Sequence, residues 1–162
     1  MKLIIDASSI IAFYSENELN KPNLLHRLVE YGMELIVPQK VYEEIEKGKK
    51  STIELLKKAI KKGFIKIDQN GTKEEIEVFK KRYPKLEDGE IQVIIIGNEC
   101  KKNRDKYYCI IDEGPGRQIV KDLSLHLKGT IGILNLLEDL HIISSEKRET
   151  LYKRLQSSSF RI

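Results

Sequence analysis

Five short apolar runs punctuate the chain, at 2–6, 34–37, 64–67, 107–112 and 125–128. Between them apolar residues return every three or four positions, the period of a helix with one buried face. Such patterns cover about 8–15, 22–31, 39–47, 51–62, 73–82, 88–102, 116–123, 130–139 and 145–156. The runs lack the polar alternation of a half-solvated strand, so they are read as strands buried on both faces. Strands separated by helical segments predict an α/β fold: a parallel β-sheet of about five strands with helices on both faces.

Local signals sharpen the boundaries. Ser51 with Glu54 and Thr72 with Glu75 have capping-box spacing, and Ser145 precedes the last helical segment. Gly32, Gly48 and Gly63 fall just past three helical segments, where a left-handed residue is favoured. With no internal repeat and no linker, 162 residues predict one domain over 1–156 and a flexible tail over 157–162.

Composition then narrows the class. Charged residues make up 33% of the chain and hydrophobic ones 40%, which excludes a membrane-embedded protein and a disordered one. The net charge of +4 is compatible with a nucleic-acid partner and does not require one. The opening residues reach Asp6 after only three apolar positions, short of the roughly seven of a signal peptide, so a cytoplasmic location without membrane association is expected. Cys100 and Cys109 have neither redox nor zinc spacing and read as buried thiols.

The carboxylates carry the chemical signal. Ile4-Ile5-Asp6 and Ile110-Ile111-Asp112 each end a buried run with an aspartate and pass into a helix. In open α/β sheets the binding crevice lies at the carboxyl ends of strands, where the strand order reverses. Right-handed crossovers carry strands two and three to one side of strand one and leave the other side to strand four, so Asp6 and Asp112 are expected to face each other. Two adjacent aspartates repel unless a cation or a proton intervenes, and Mg²⁺ or Mn²⁺ suits an all-oxygen site. The plainer reading of Asp6 is a helix N-cap, shared with Ser8 or Ser9. Glu44 lies at the edge of the apolar stripe formed by Val41 and Ile45, and Glu90 opens the run 91–97. The plainer role of Glu90 is a favourable charge at a helix N-terminus.

These segments together resemble the PIN domain family. The resemblance rests on hydrophobic-Asp-Ala-Ser-Ser at 4–9, Val-Pro-x-x-Val-x-x-Glu-Ile at 37–45, Leu-x-x-Gly-Glu at 86–90, Ile-Ile-Asp-Glu-x-x-x-Arg at 110–117 and Gly-Thr-Ile-Gly-Ile-Leu at 129–134. It is strongest to the small prokaryotic VapC-like members. It implies strand order 3-2-1-4-5, a Mg²⁺- or Mn²⁺-dependent endoribonuclease, an RNA substrate, and as further partners an antitoxin protein and a second copy in a homodimer. By motif, Asp6, Glu44, Glu90 and Asp112 take the family's acidic positions, with Asp6, Glu90 and Asp112 as metal ligands. Ser8 takes the place of the hydroxyl that supports the first aspartate, and Glu113 is a possible fifth acid. The Asp-Glu-Gly-Pro-Gly-Arg turn at 112–117 departs from the family pattern and favours Glu113 facing solvent.

Other constellations are weaker. Lys47, Lys49, Lys50, Lys57, Lys58, Lys61 and Lys62 are either solvated helix faces or RNA phosphate contacts. Arg117 is placed either for a scissile phosphate or for pinning Asp112. His26, His126 and His141 occur singly and are read as structural. A dehalogenase-type phosphatase would need Asp where Ser8 stands, and no P-loop Gly-Lys-Ser/Thr is present. The other functional class that the sequence leaves open is a non-catalytic nucleic-acid-binding or regulatory domain on the same fold.

Overall fold

The computed structural model describes residues 1–112, 114–158 and 160. In chain order the elements are β1 (Lys2–Ile5), α1 (Ala7–Tyr14), α2 (Pro22–Glu30), β2 (Glu34–Pro38), α3 (Gln39–Glu46), α4 (Lys50–Lys61), β3 (Ile65–Asp68), α5 (Lys73–Arg82), α6 (Asp88–Lys102), β4 (Tyr107–Ile110), α7 (Pro115–Asp122), β5 (Leu127–Lys128), α8 (Thr130–Asp139) and α9 (Ser145–Ser157). The strands form one parallel sheet in the order β3-β2-β1-β4-β5. Successive strand residues point to opposite faces, and Leu3, Ile4 and Ile5 of β1 are all fully buried, so helices cover both sides of the sheet.

The reversal of strand order at β1 sets the site. Ile5 pairs with Ile110 across β1 and β4, and the Asp6 N–H donates to the Ile110 carbonyl at 3.1 Å. Asp6 and Asp112 therefore emerge at the carboxyl ends of neighbouring strands, as the right-handed crossovers require. A second tie joins the helices above that edge. Gln92 of α6, itself buried, accepts the Lys40 N–H of α3 at 2.7 Å and donates to the Asn70 carbonyl at 3.0 Å.

Several boundaries differ from the sequence reading for local reasons. The run at 125–128 contributes only two ladder residues, because the Leu125 N–H closes the end of α7 on the Val120 carbonyl. Ser51 and Glu54 do not cap α4, which begins one residue earlier with Lys49 at the N-cap position and no side-chain cap. Ser144 caps α9 by accepting the Lys147 N–H at 3.1 Å, while the Ser145 hydroxyl turns to Glu138. Thr72 caps α5 as expected, accepting from the Glu75 N–H. Gly32 and Gly63 are left-handed, with φ of 81° and 80°, whereas Gly48 is not. Of the tail over 157–162, residues 159, 161 and 162 lie outside the described residues, and Phe160 packs against the core.

Candidate active site

Asp112 is the most heavily bonded member of the site. Its Oδ2 accepts the hydroxyls of Ser8 at 2.9 Å, Ser9 at 3.0 Å and Thr130 at 2.7 Å, and its Oδ1 accepts the Thr130 N–H at 2.6 Å. Ser9 and Thr130 are fully buried and share a further hydroxyl contact at 2.7 Å. The donors come from the first turns of α1 and α8, whose free N–H groups and hydroxyls face the sheet edge. Ser8, expected to support Asp6, is turned instead toward Asp112. The two strands run side by side, so a hydroxyl three residues past the end of β1 reaches the carboxylate beyond β4.

Asp6 occupies the N-cap position of α1 without making a side-chain cap bond. Its carboxyl is pushed up from 3.8 to about 8, first by burial and then by the charges of Glu90, Glu44 and Asp112, with the Ala7 backbone N–H opposing them. The other three acids expected from the sequence thus each lie near enough to Asp6 for their charge to act on it.

Glu44 and Glu90 reach the crevice from the facing ends of α3 and α6. Glu44 Oε1 accepts the Gly89 N–H at 3.0 Å, a donor in the first turn of α6. Burial raises its carboxyl above the ordinary range, followed by the charges of Glu87, Glu90 and Asp88. Glu90 Oε2 accepts the Glu87 N–H at 3.1 Å and completes a capping box, so its helix-start role is real. That role leaves it pressing on Asp6.

Three glycines make room for these carboxylates. A methyl group at Gly89 would lie 2.7 Å from Glu44 Oε1, one at Gly116 2.7 Å from Glu90 Oε1, and one at Gly129 2.7 Å from Asp112 Oδ1. Gly89, Gly116 and Gly129 all lie in the segments that carry the sequence resemblance. Their role as spacers is not visible without coordinates, and neither is the double contact of Thr130 with Asp112. Arg117 Nη1 donates to the Ile111 carbonyl, so it pins the backbone just before Asp112 and not the carboxylate itself. Glu113 lies outside the described residues.

Asp6, Glu44 and Asp112 make no salt bridge with a described residue. Residues 2–162 match the family model described as PIN domain. The chain belongs to the PIN domain family. No curated protein and no solved structure matches it. PIN domains are generally nucleases that use divalent metals, and the donor set here is of that type: oxygen only, from four acids at one sheet edge. Among the described residues no three His, Cys, Asp or Glu side chains close on a single point. Asp6, Glu90 and Asp112, expected to share an ion, do not form such a group. Burial first and the charges of the other acids second hold the Asp6 carboxyl up, and a bound cation would oppose both. Among the described residues no helix of this PIN domain is long and apolar enough to cross a membrane.

The remaining candidates have structural partners. His26 contacts the Tyr14 hydroxyl and stacks on Phe64, and His126 stacks on Tyr107. Cys100 and Cys109 are buried free thiols. Of the lysines, Lys50 and Lys57 pair with Glu54 and Glu46 on the surface, whereas Lys49 lines a cavity that also reaches Glu44.

Proposed function

We propose that this PIN domain is a Mg²⁺- or Mn²⁺-dependent endoribonuclease, with Asp6, Glu44, Glu90 and Asp112 as its catalytic acids. The observation that carries the reading is the placement of Asp6 and Asp112 at the carboxyl ends of the neighbouring strands β1 and β4, with Glu44 and Glu90 seated at the start of α6, and burial and the charges of those acids push the Asp6 carboxyl up to about 8. A carboxylate cluster of this kind opposes its own ionisation and is relieved by a divalent cation. Asp6, Glu90 and Asp112 are the residues that would hold the ion. It would supply activation of a water and neutralisation of charge on the phosphate.

The chain's own residues orient that chemistry. Ser8, Ser9 and Thr130 orient the Asp112 carboxylate through their hydroxyls. Gly89 and the Glu87 N–H fix Glu44 and Glu90 at the mouth of α6. Arg117 holds the strand end beneath Asp112. No side-chain nucleophile is required, in keeping with the single, structurally engaged histidines.

RNA incubated with the protein and Mn²⁺ should be cut to 5′-phosphate and 3′-hydroxyl ends, and EDTA should stop the reaction. Products ending in 2′,3′-cyclic phosphate would show attack by the RNA's own 2′-hydroxyl and overturn the reading. The biological setting we infer is the cytoplasm, as the toxin of a toxin–antitoxin pair or as an RNA-processing nuclease, with the homodimer common to small PIN proteins. An adjacent reading frame encoding a DNA-binding antitoxin separates the two roles.

A further inference from the structure

Beside the acidic crevice lies a cavity of about 200 Å³ between the turn after α1 and the α3–α4 junction. Its floor is apolar, from Ile11 and Ile45, and its walls carry Glu18, Lys49, Thr52 and Glu44. Glu44 is therefore common to the cavity and the catalytic acids. The volume is below the roughly 300–1,000 Å³ of pockets for drug-sized ligands, and suits one flat base better than a longer stretch of chain.

Glu18 makes this cavity unusual. It is only 8% exposed, and its Oε2 is the buried side-chain oxygen or nitrogen without a hydrogen-bond partner among the described residues. A buried carboxylate oxygen without a donor is costly, and buried polar groups are otherwise almost always paired. The group is placed for a donor that the folded chain does not provide.

We propose that this cavity is a guanine subsite, in which Glu18 reads the base of a nucleotide adjacent to the cleaved bond. The inference rests on the ribonuclease reading, because it is the shared Glu44 that places the base next to the reacting phosphate. A carboxylate presents two parallel acceptors. Guanine alone among the four RNA bases offers two adjacent donors, N1–H and the N2 amino group, on its Watson–Crick edge. Adenine and cytosine set a ring-nitrogen acceptor beside their amino group, and uracil flanks its one donor with two carbonyls. Lys49 lines the same cavity and supplies a cation for the neighbouring O6 acceptor, its charge partly opposing the burial that raises the Glu18 carboxyl. Ile11 and Ile45 provide the apolar surface on which the ring lies. Reading exposed Watson–Crick edges in this way is how single-stranded RNA is distinguished by sequence.

The test has two arms. A randomised RNA is cleaved with Mn²⁺ by the parent and by Glu18→Gln, and the cut ends are sequenced. In parallel, guanosine, adenosine, inosine, cytidine and uridine 5′-monophosphates are titrated into the metal-free parent, followed by NMR shifts. The expected result is guanine at one fixed position beside the cut, favoured roughly tenfold or more, the discrimination of a good bidentate contact. Glu18→Gln should lose that bias, since an amide replaces one acceptor with a donor. GMP should shift Glu18 and Lys49 at lower concentration than IMP, which lacks the N2 amino group. This second comparison uses only the unmodified chain. Cut sites without guanine bias, or the same bias in Glu18→Gln, overturn the subsite. If no RNA is cut with any metal, the nuclease reading fails and the titration alone decides: a GMP preference over IMP supports the subsite, and equal binding of the five nucleotides removes it.

Discussion

Thr130 holds Asp112 by both of its donors, the backbone N–H on Oδ1 at 2.6 Å and the hydroxyl on Oδ2 at 2.7 Å. A helix start thus clamps the carboxylate at the end of β4 from one residue, with Ser8 and Ser9 completing the shell from α1.

Thr130→Val keeps the shape of the side chain and removes the hydroxyl. Thr130 is fully buried, so Ser9 and Asp112 lose a partner out of reach of water. The loss should be about 1–3 kcal/mol in urea denaturation, and RNA cleavage should fall more steeply than stability. Equal stability and equal cleavage would show that the clamp is dispensable.

The raised Asp6 carboxyl has a definite consequence for pH. Its folded value of about 8 lies above the ordinary 3.8, so between these limits the folded chain keeps a proton that the unfolded chain has lost. The contribution favours folding at low pH and is lost as pH rises toward 8. Burial raises Glu44 and Glu18 as well, in the same direction. Thermal melts in EDTA from about pH 5 to about pH 8 should show a falling melting temperature in the parent and a flatter profile in Asp6→Asn. A steeper fall in the variant would contradict the electrostatic account.

Gly116→Ala tests the packing of the crevice. Alanine is favoured over glycine in a helix by roughly 0.5–1 kcal/mol, so α7 should form normally. The added methyl would sit 2.7 Å from Glu90 Oε1 and 3.2 Å from its Cδ, and must displace the carboxylate. Circular dichroism melts should move little while cleavage falls at least tenfold. Retained cleavage would remove Glu90 from the reacting set.

The central strands were legible because the runs of β1, β2 and β4 are almost wholly apolar, and right-handed crossovers leave one place for β4. The same reasoning brought Asp6 and Asp112 together, and helical spacing put Glu44 at the edge of its apolar stripe. The partner of Ser8 was not legible, since which of two neighbouring carboxylates a hydroxyl meets depends on angles that spacing does not encode. Ser144 against Ser145 turned on one residue, a distinction settled by the competing bond to Glu138. Glu18 carried no signal at all in the chain order. Only the fold buries it beside Glu44 and Lys49.

The most direct measurement of the central claim is the thermal shift produced by Mn²⁺ in the parent and in Asp6→Asn, each compared with EDTA. An ion that binds only the folded chain adds RT ln(1 + [L]/Kd), about 2.7 kcal/mol at a hundredfold excess over Kd. The account predicts a clear rise in the melting temperature of the parent. Asp6→Asn should be at least as stable as the parent in EDTA and gain much less from Mn²⁺. An equal Mn²⁺ shift in both proteins, or none in either, would contradict a metal site built on Asp6.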